Sequence, residues 1–265
     1  MQPLLLSTDF DGTIYDHDHD VPLAGAFLDW LRRARQKRKI IWVINTGRDW
    51  TSLREELESN QIDLWPDWVV LVEREIHRVE DEQTKSLQAW NHSCQQIHAD
   101  LFTRARDDFE ETREKLARFE NLQTVVDTGS PLGIIAADEP QADEVETILA
   151  PLLDKFPEMH TVRNSIYFRF AHVDYHKGSC LGMITAEEGM SAEQCFAVGD
   201  HHNDIAMLDT TYAHAVACPS NSDQRVLNHV QEMGGYVAKL PADRGVAEAL
   251  DHFFGNPDHW DDSAG

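Results

Sequence analysis

The sequence predicts an α/β protein, a doubly wound (Rossmann-like) parallel-sheet core interrupted by an inserted α+β domain. Three observations predict it. Short apolar runs alternate with helix-period segments at both ends of the chain. The middle of the chain breaks that alternation. Polar clusters follow the expected core strands, at the strand ends where open α/β sheets bind ligands.

In order, Leu4–Thr8 is an apolar run that fits a buried strand, and Leu23–Arg38 has helical spacing with Phe27, Trp30 and Leu31 on one face. Ile40–Ile44 is β-branched and reads as the next strand, Thr51–Ser59 as a helix, and Trp68–Val72 as a third buried strand. Then "LVEREIHRVEDEQ" mixes charges into a strand-like stretch. About Ser86 to Phe119 reads as a polar helical arm with one break, Leu132–Ala137 as a strand, and Gln141–Lys155 as an amphipathic helix. "MHTVRNSIYFRF" reads as two strands about a turn at Asn164-Ser165. Alternation resumes with a helix over His176–Glu188, a strand at Cys195–Val198 and a helix starting at Asn203–Leu208. A strand at Ala213–Ala217, a helix at Ser222–His229, a strand at Tyr236–Lys239 and a helix at Gly245–Phe254 complete it. The expected division is a discontinuous core of residues 1–74 and 173–254, an inserted domain of 75–172 and a loose tail of 255–265. Trp30, Trp42 and Trp68 read as core. Phe168 and Phe170 alternate with Tyr167 and Arg169, so one face of that strand is expected to be buried.

Composition narrows the function. The formal net charge of −24 repels nucleic acid and anionic membranes, which need basic patches. No apolar stretch approaches the length of a transmembrane helix, and the N-terminal leucines meet Asp9 too soon for a signal peptide. The expectation is a soluble cytoplasmic protein with a small-molecule partner; its oligomeric state is open. Cys94, Cys180, Cys195 and Cys218 lack metal-site spacing and read as buried or inert thiols.

Four clusters converge if the topology holds: Asp9-Phe10-Asp11-Gly12-Thr13, Asn45-Thr46-Gly47-Arg48, "DYHKGS" with Lys177, and Gly199-Asp200-His201-His202-Asn203-Asp204. Four carboxylates crowd together in ionised form only if a cation offsets them, and an all-oxygen set favours Mg²⁺ over zinc. Asp9 ends a strand, where it can act as a nucleophile toward phosphorus. Asp11 can protonate a leaving oxygen and then deprotonate water. Gly12 permits a tight turn, Thr46 offers a hydroxyl beside Gly47, and Lys177 can neutralise both the aspartate and phosphoryl oxygens. Arg48 either contacts substrate or caps a helix and pairs with an acid. His17 and His19, alternating with Asp16, Asp18 and Asp20, read as acidic loop surface. Neither His201 nor His202 is assigned as a ligand.

"DFDGT", Thr46 in "INTGR", Lys177 in "HKGS" and "GDHHNDIAML" resemble, in order, the four signatures of the haloacid dehalogenase-like phosphatase superfamily. The fourth, with Asn203-Asp204 and Met207-Leu208, resembles the Cof-type and sucrose-phosphatase-like branch, which inserts a cap between the second and third signatures. The resemblance implies that Asp9 is nucleophile and Mg²⁺ ligand, and that Asp11 is the acid/base with its carbonyl on the metal. Asp200 would ligate the metal, and Asp204 would ligate it or hold its waters. Thr46 and Lys177 would bind phosphate, with Asn203 joining them, and the presence of Asp11 weighs against dehalogenation. The sequence departs from the pattern after the third strand. Cof-type members commonly carry Asn-Gly there, and this chain has Glu73, Arg74 and Glu75 in "VEREIH". Arg74 reads as a hinge salt bridge or a cap-edge contact.

The expected function is hydrolysis of a small phosphomonoester, with a sugar phosphate as one candidate and a cap that closes over it. A hexose phosphate phosphomutase shares the aspartyl-phosphate. A non-enzymatic phosphoacceptor is disfavoured by Asp11, which would shorten the life of a phosphoaspartate.

Overall fold

The computed structural model describes residues 2, 4–16, 25–127 and 129–260. His17, Asp18, His19 and Asp20 lie outside the described residues. The chain divides into two compact units, 1–87 with 177–265, and 88–176.

The first unit holds an eight-stranded sheet. Its strands are β1 (Leu4–Thr8), β2 (Ile40–Asn45), β3 (Trp68–Leu71), β4 (Glu75–Glu80), β5 (Gln83–Ser86), β10 (Cys195–Val198), β11 (Ala215–Cys218) and β12 (Tyr236–Val237). Their order is β12-β11-β10-β1-β2-β3-β4-β5. Pairing is parallel from β12 to β3 and antiparallel through β4 and β5. Its helices are α1 (Gly25–Lys37), α2 (Trp50–Ser59), α6 (Lys177–Glu187), α7 (Gln224–Glu232) and α8 (Ala242–Phe254).

Every residue of β1, β2, β3, β10 and β11 is buried. That is why they read as continuous apolar runs: both faces are covered. Leu4 and Leu6 of β1, with Ile40, Trp42 and Ile44 of β2, pack on one face against Phe27, Trp30 and Leu31 of α1 and Val246 and Leu250 of α8. Leu5, Ile41 and Cys195 point the other way, and the Cys195 thiol meets Thr185 of α6 at 3.3 Å. Deleting a large side chain here, Trp42 for example, costs about 3–5 kcal/mol on general grounds.

The second unit contains α3 (Gln88–Arg104), α4 (Arg106–Leu116), β6 (Gln123–Asp127), β7 (Ser130–Ile135), α5 (Glu139–Lys155), β8 (Met159–Asn164) and β9 (Tyr167–His172). Its antiparallel sheet runs β6-β7-β9-β8. Phe168 and Phe170 are fully buried with Leu101, Phe109, Leu132, Val145 and Leu149, and Tyr167 and Arg169 are only partly covered. Asp138 caps α5 by accepting from the Gln141 backbone N–H.

Four features differ from the sequence reading. The unit boundary lies at 87/88 rather than 74/75, because β4 and β5 extend the first sheet as a hairpin on β3. At the other end it lies at 176/177 rather than 172/173, because β9 is followed by Tyr175, whose ring packs on Trp90 and His98. β6 escapes the sequence pattern, being a half-polar edge strand whose Val126 is 85% exposed. No α-helix starts at Asn203; a single 3-10 turn spans His202–Asp204, closed by the Asp204 carboxylate accepting from the backbone of Asp200 and His201. The described part of the tail is not loose. Trp260 packs edge-on to Trp30 with centroids 5.7 Å apart and donates its indole N–H to the Phe254 carbonyl. Among the described residues no helix is long and apolar enough to cross a membrane.

Candidate active site

Two adjacent parallel strands, β1 and β10, deliver the central acids. Asp9 follows β1, and its backbone N–H donates to the Val198 carbonyl at the end of β10. Gly199 and Asp200 follow β10 directly. Gly199 sits so close to Asp204 that a Cβ there would lie 2.4 Å from its carboxyl carbon. Gly12 has φ of 78°, and a Cβ on it would lie 2.2 Å from Asp200 Oδ2. Glycine is therefore needed at both places, by close approach and, at Gly12, also by backbone conformation.

Asp9, Asp200 and Asp204 are all buried, and each offers an oxygen within 4.8 Å of the others. Lys177, at the start of α6, reaches between them. Its Nζ donates to Asp9 Oδ1 and to Asp204 Oδ1, both at 2.6 Å. Its side chain is wholly buried, and its carbonyl accepts from the Asn45 side-chain amide. Burial alone would push this ammonium toward the neutral form, but Asp204, Asp9 and Glu73 outweigh burial and hold it protonated. Thr13 donates its hydroxyl hydrogen to Asp200 Oδ1 at 2.8 Å, and His201 Nδ1 lies 2.6 Å from Asp200 Oδ2. That contact pushes the His201 pKa up to about 9, against the opposing effect of burial.

Burial, and then the charge of Asp204, raise the Asp9 carboxyl well above its ordinary range, although Lys177 opposes them. Burial likewise raises Asp200. The Lys177 ammonium and the His201 ring beside Asp200 leave the three acids incompletely offset at this depth. The donor set is oxygen only, compact and dry, and it fits a hard divalent cation such as Mg²⁺ held by Asp9, Asp200 and Asp204.

Asp11 lies apart from that triad, one-third exposed, in a bidentate pair with Arg48. Arg48 Nε donates to Oδ2 at 2.8 Å and Nη2 to Oδ1 at 2.7 Å. The same guanidinium lies over the Phe10 and Tyr15 rings and donates through Nη1 to Ser52 Oγ at 3.1 Å. Arg48 therefore pairs with an acid in this structure, and that acid is Asp11. Thr46 is buried, and its hydroxyl oxygen accepts from the Arg48 backbone N–H.

The remaining element is the turn joining β3 to β4. Arg74 N–H donates to the Leu71 carbonyl across Val72 and Glu73, whose φ values are 44° and 66°. Two positive φ angles make this a type I′ turn, which Asn-Gly suits best. Val-Glu adopts it here at roughly 1–2 kcal/mol per residue. The turn directs the Glu73 carboxylate into the site, where Oε1 accepts from Asn203 Nδ2 at 2.9 Å. A Cβ on Gly47 would lie 3.1 Å from the same oxygen. Sequence reasoning marked the departure at Glu73 but did not make it a site residue. The signal available was an acid standing where an Asn-Gly turn was expected. Arg74 is buried in this turn, well before the unit boundary.

The structure thus brings Asp9, Thr46, Gly47, Lys177, Asp200, Asn203 and Asp204 to the ends of β1, β2 and β10, with Asp11 and Arg48 paired beside them. Residues 75–250 match the family of haloacid dehalogenase-like hydrolases, and residues 2–124 match that of sucrose-6F-phosphate phosphohydrolase. No curated protein gives a significant sequence match. Among solved structures, the sucrose-phosphatase of Synechocystis sp. PCC6803, determined with sucrose and phosphate, is similar with a TM-score of 0.74 and 18% identity, over 96% of this chain and 98% of that one. The phosphatase BT1666 of Bacteroides thetaiotaomicron is similar with a TM-score of 0.62 and 19% identity, over 94% of each chain. The subclass IIB sugar phosphatase BT4131 is similar with a TM-score of 0.61 and 16% identity, over 94% of this chain and 98% of that one. With a match over most of its length and all four signature clusters at one sheet end, the chain belongs to the haloacid dehalogenase-like hydrolase family.

Proposed function

We propose that the protein is a Mg²⁺-dependent phosphatase that hydrolyses a small phosphomonoester through an aspartyl-phosphate. The observation that carries this reading is the burial of Asp9, Asp200 and Asp204 around Lys177 at the carboxyl ends of β1 and β10. A sugar phosphate is the favoured substrate class, supported by the match of residues 2–124 and by the sugar phosphatases of similar fold.

In the first step an Asp9 oxygen attacks phosphorus, and the bond from phosphorus to the leaving alcohol oxygen breaks. Asp11 in its acid form gives that oxygen its proton. In the second step Asp11, now a carboxylate, takes a proton from water, whose oxygen attacks phosphorus and releases Asp9 and phosphate. Mg²⁺ held by Asp9, Asp200 and Asp204, with the Asp11 carbonyl as a further ligand, would keep Asp9 ionised and offset phosphoryl charge. Lys177, the Thr46 hydroxyl, the Gly47 N–H and the Asn203 amide would hold the phosphoryl oxygens. The bidentate pair with Arg48 suits the base form of Asp11. Delivery of the proton in the first step requires one Asp11 oxygen to leave the guanidinium.

The test is phosphate release from a panel of phosphomonoesters with and without EDTA. Release should depend on Mg²⁺ and be lost in Asp9→Asn. Full activity in Asp9→Asn would overturn the covalent route. Isomerisation of a hexose phosphate without phosphate release would mark a phosphomutase.

A further inference from the structure

We propose that Glu73 is a specificity-determining residue of the phosphoryl subsite, an anionic side chain that occupies the Asn203 amide and opposes tight retention of free phosphate. The inference rests on the phosphatase reading above and assigns a role to a residue outside the four signature clusters.

Three observations carry it. First, the carboxylate is buried, and its Oε1 lies between two groups expected to face a phosphate: it accepts from Asn203 Nδ2 at 2.9 Å and abuts Gly47. A ligand that uses Asn203 must compete with Glu73 for that amide. Second, Glu73 is not part of the Asp9, Asp200 and Asp204 group. Its charge is felt by Lys177, the ammonium that joins Asp9 and Asp204. An acid here weakens the positive potential that a phosphate dianion would meet. Third, the position is strained. Val72 and Glu73 both have positive φ, and Val is branched at Cβ. The strained pair is held in place by its neighbours: Val72 N–H donates to the Arg48 carbonyl and Glu73 N–H to the Thr46 carbonyl. Non-glycine residues in the left-handed region cluster at functional sites.

The expected consequence is fast product release. Substrate gains contacts through its leaving group, whereas inorganic phosphate depends on the phosphoryl subsite alone, so a local negative charge falls hardest on the product.

The experiment measures inorganic phosphate binding by calorimetry, at saturating Mg²⁺, in wild type, Glu73→Gln and Glu73→Gly. Gln keeps the acceptor for Asn203 and the backbone strain but removes the charge. Gly removes the side chain and relieves the strain. Phosphate affinity should rise about tenfold or more in Glu73→Gln, with the gain shrinking at high salt. Glu73→Gly should show a similar gain together with a higher melting temperature. In steady state the inhibition constant for phosphate should fall in parallel. Unchanged or weaker phosphate binding in both variants would overturn the role of Glu73 and leave the phosphatase reading standing. If none of the three proteins binds phosphate while all fold, the phosphoryl subsite itself is misassigned, and both readings fall.

Discussion

Each unit of the molecule buries a cation among acids, and the two clusters are built differently. In the first unit the Lys177 ammonium is fully buried, and its partners Asp9 and Asp204 are 8% and 0% exposed at the side chain. In the second, Arg163 is 5% exposed, but Glu139, Asp143 and Glu146 are 54%, 60% and 39% exposed. Burial alone would lower the Arg163 pKa, and the hydrogen bonds it donates to the three acids raise it instead. Water solvates the acids around Arg163, so that cluster is complete as it stands. It ties α5 to the β8–β9 hairpin, helped by Arg163 Nε donating to the Ser165 carbonyl. The acids around Lys177 have lost their water, and Asp9 is driven toward its protonated form. The difference teaches that solvation of the anions, rather than the count of charges, separates a structural ion cluster from a reactive one.

The sharpest way to break this comparison is at Asp9. Asp9→Asn keeps the shape of the Lys177 cluster and removes the proposed nucleophile, so phosphate release in a colorimetric assay should fall about 10³-fold or more. Next is Arg48→Lys, which keeps the charge beside Asp11 but loses the fork that grips both oxygens. The turnover number should fall about 10–100-fold with a smaller change in KM, read from steady-state kinetics. An equal rise in KM would make Arg48 a substrate contact instead. The two clusters should also differ toward metal. Mg²⁺ should raise the melting temperature of wild type by several degrees, and Asp200→Asn should lose most of that gain. Removing the partners of Arg163 should leave the gain intact.

Arg163→Met tests the other side. It should cost about 1–2 kcal/mol in denaturant unfolding, since its partners stay solvated, and leave turnover per folded molecule unchanged. A loss of activity would mean that the second cluster is not structural only. The smallest effect is expected at Glu248, a carboxylate satisfied by neutral donors. It accepts from Tyr236 Oη and from the Lys239 and Leu240 backbone N–H groups. Despite burial, these donors hold its pKa below the ordinary 4.5. A depressed acid stabilises the fold above its unfolded pKa and loses that contribution as pH falls through the folded value. Glu248→Gln should therefore cost about 1 kcal/mol at pH 7, and the gap to wild type should close in thermal melts as pH falls below the ordinary glutamate range.

Much of this was legible in the chain. β1, β2, β3 and β10 read clearly because central parallel strands are buried on both faces and show as unbroken apolar runs. β6 did not, because an exposed edge strand carries little hydrophobic signal. The signature clusters named Asp9, Asp11, Thr46, Lys177 and Asp200 because each directly follows a strand or opens a helix. Asp204 and Asn203 were named too, but in an expected helix. The Asp204 carboxylate instead bonds its own turn, a local choice that side-chain type does not reveal.

Order along the chain and the spacing of apolar residues determined the layered α/β core, the interruption in its middle and the set of acids at one sheet end. Those features depend on local period and strand polarity, which are written in neighbouring residues. Only the tertiary structure decided that Arg48 grips Asp11, that Glu73 faces Asn203 across 130 positions of sequence, and that β4 and β5 belong to the first sheet. Such pairings depend on which side chains meet after the strands assemble, and on how deeply water is excluded there. Neither is encoded in the spacing of any single segment.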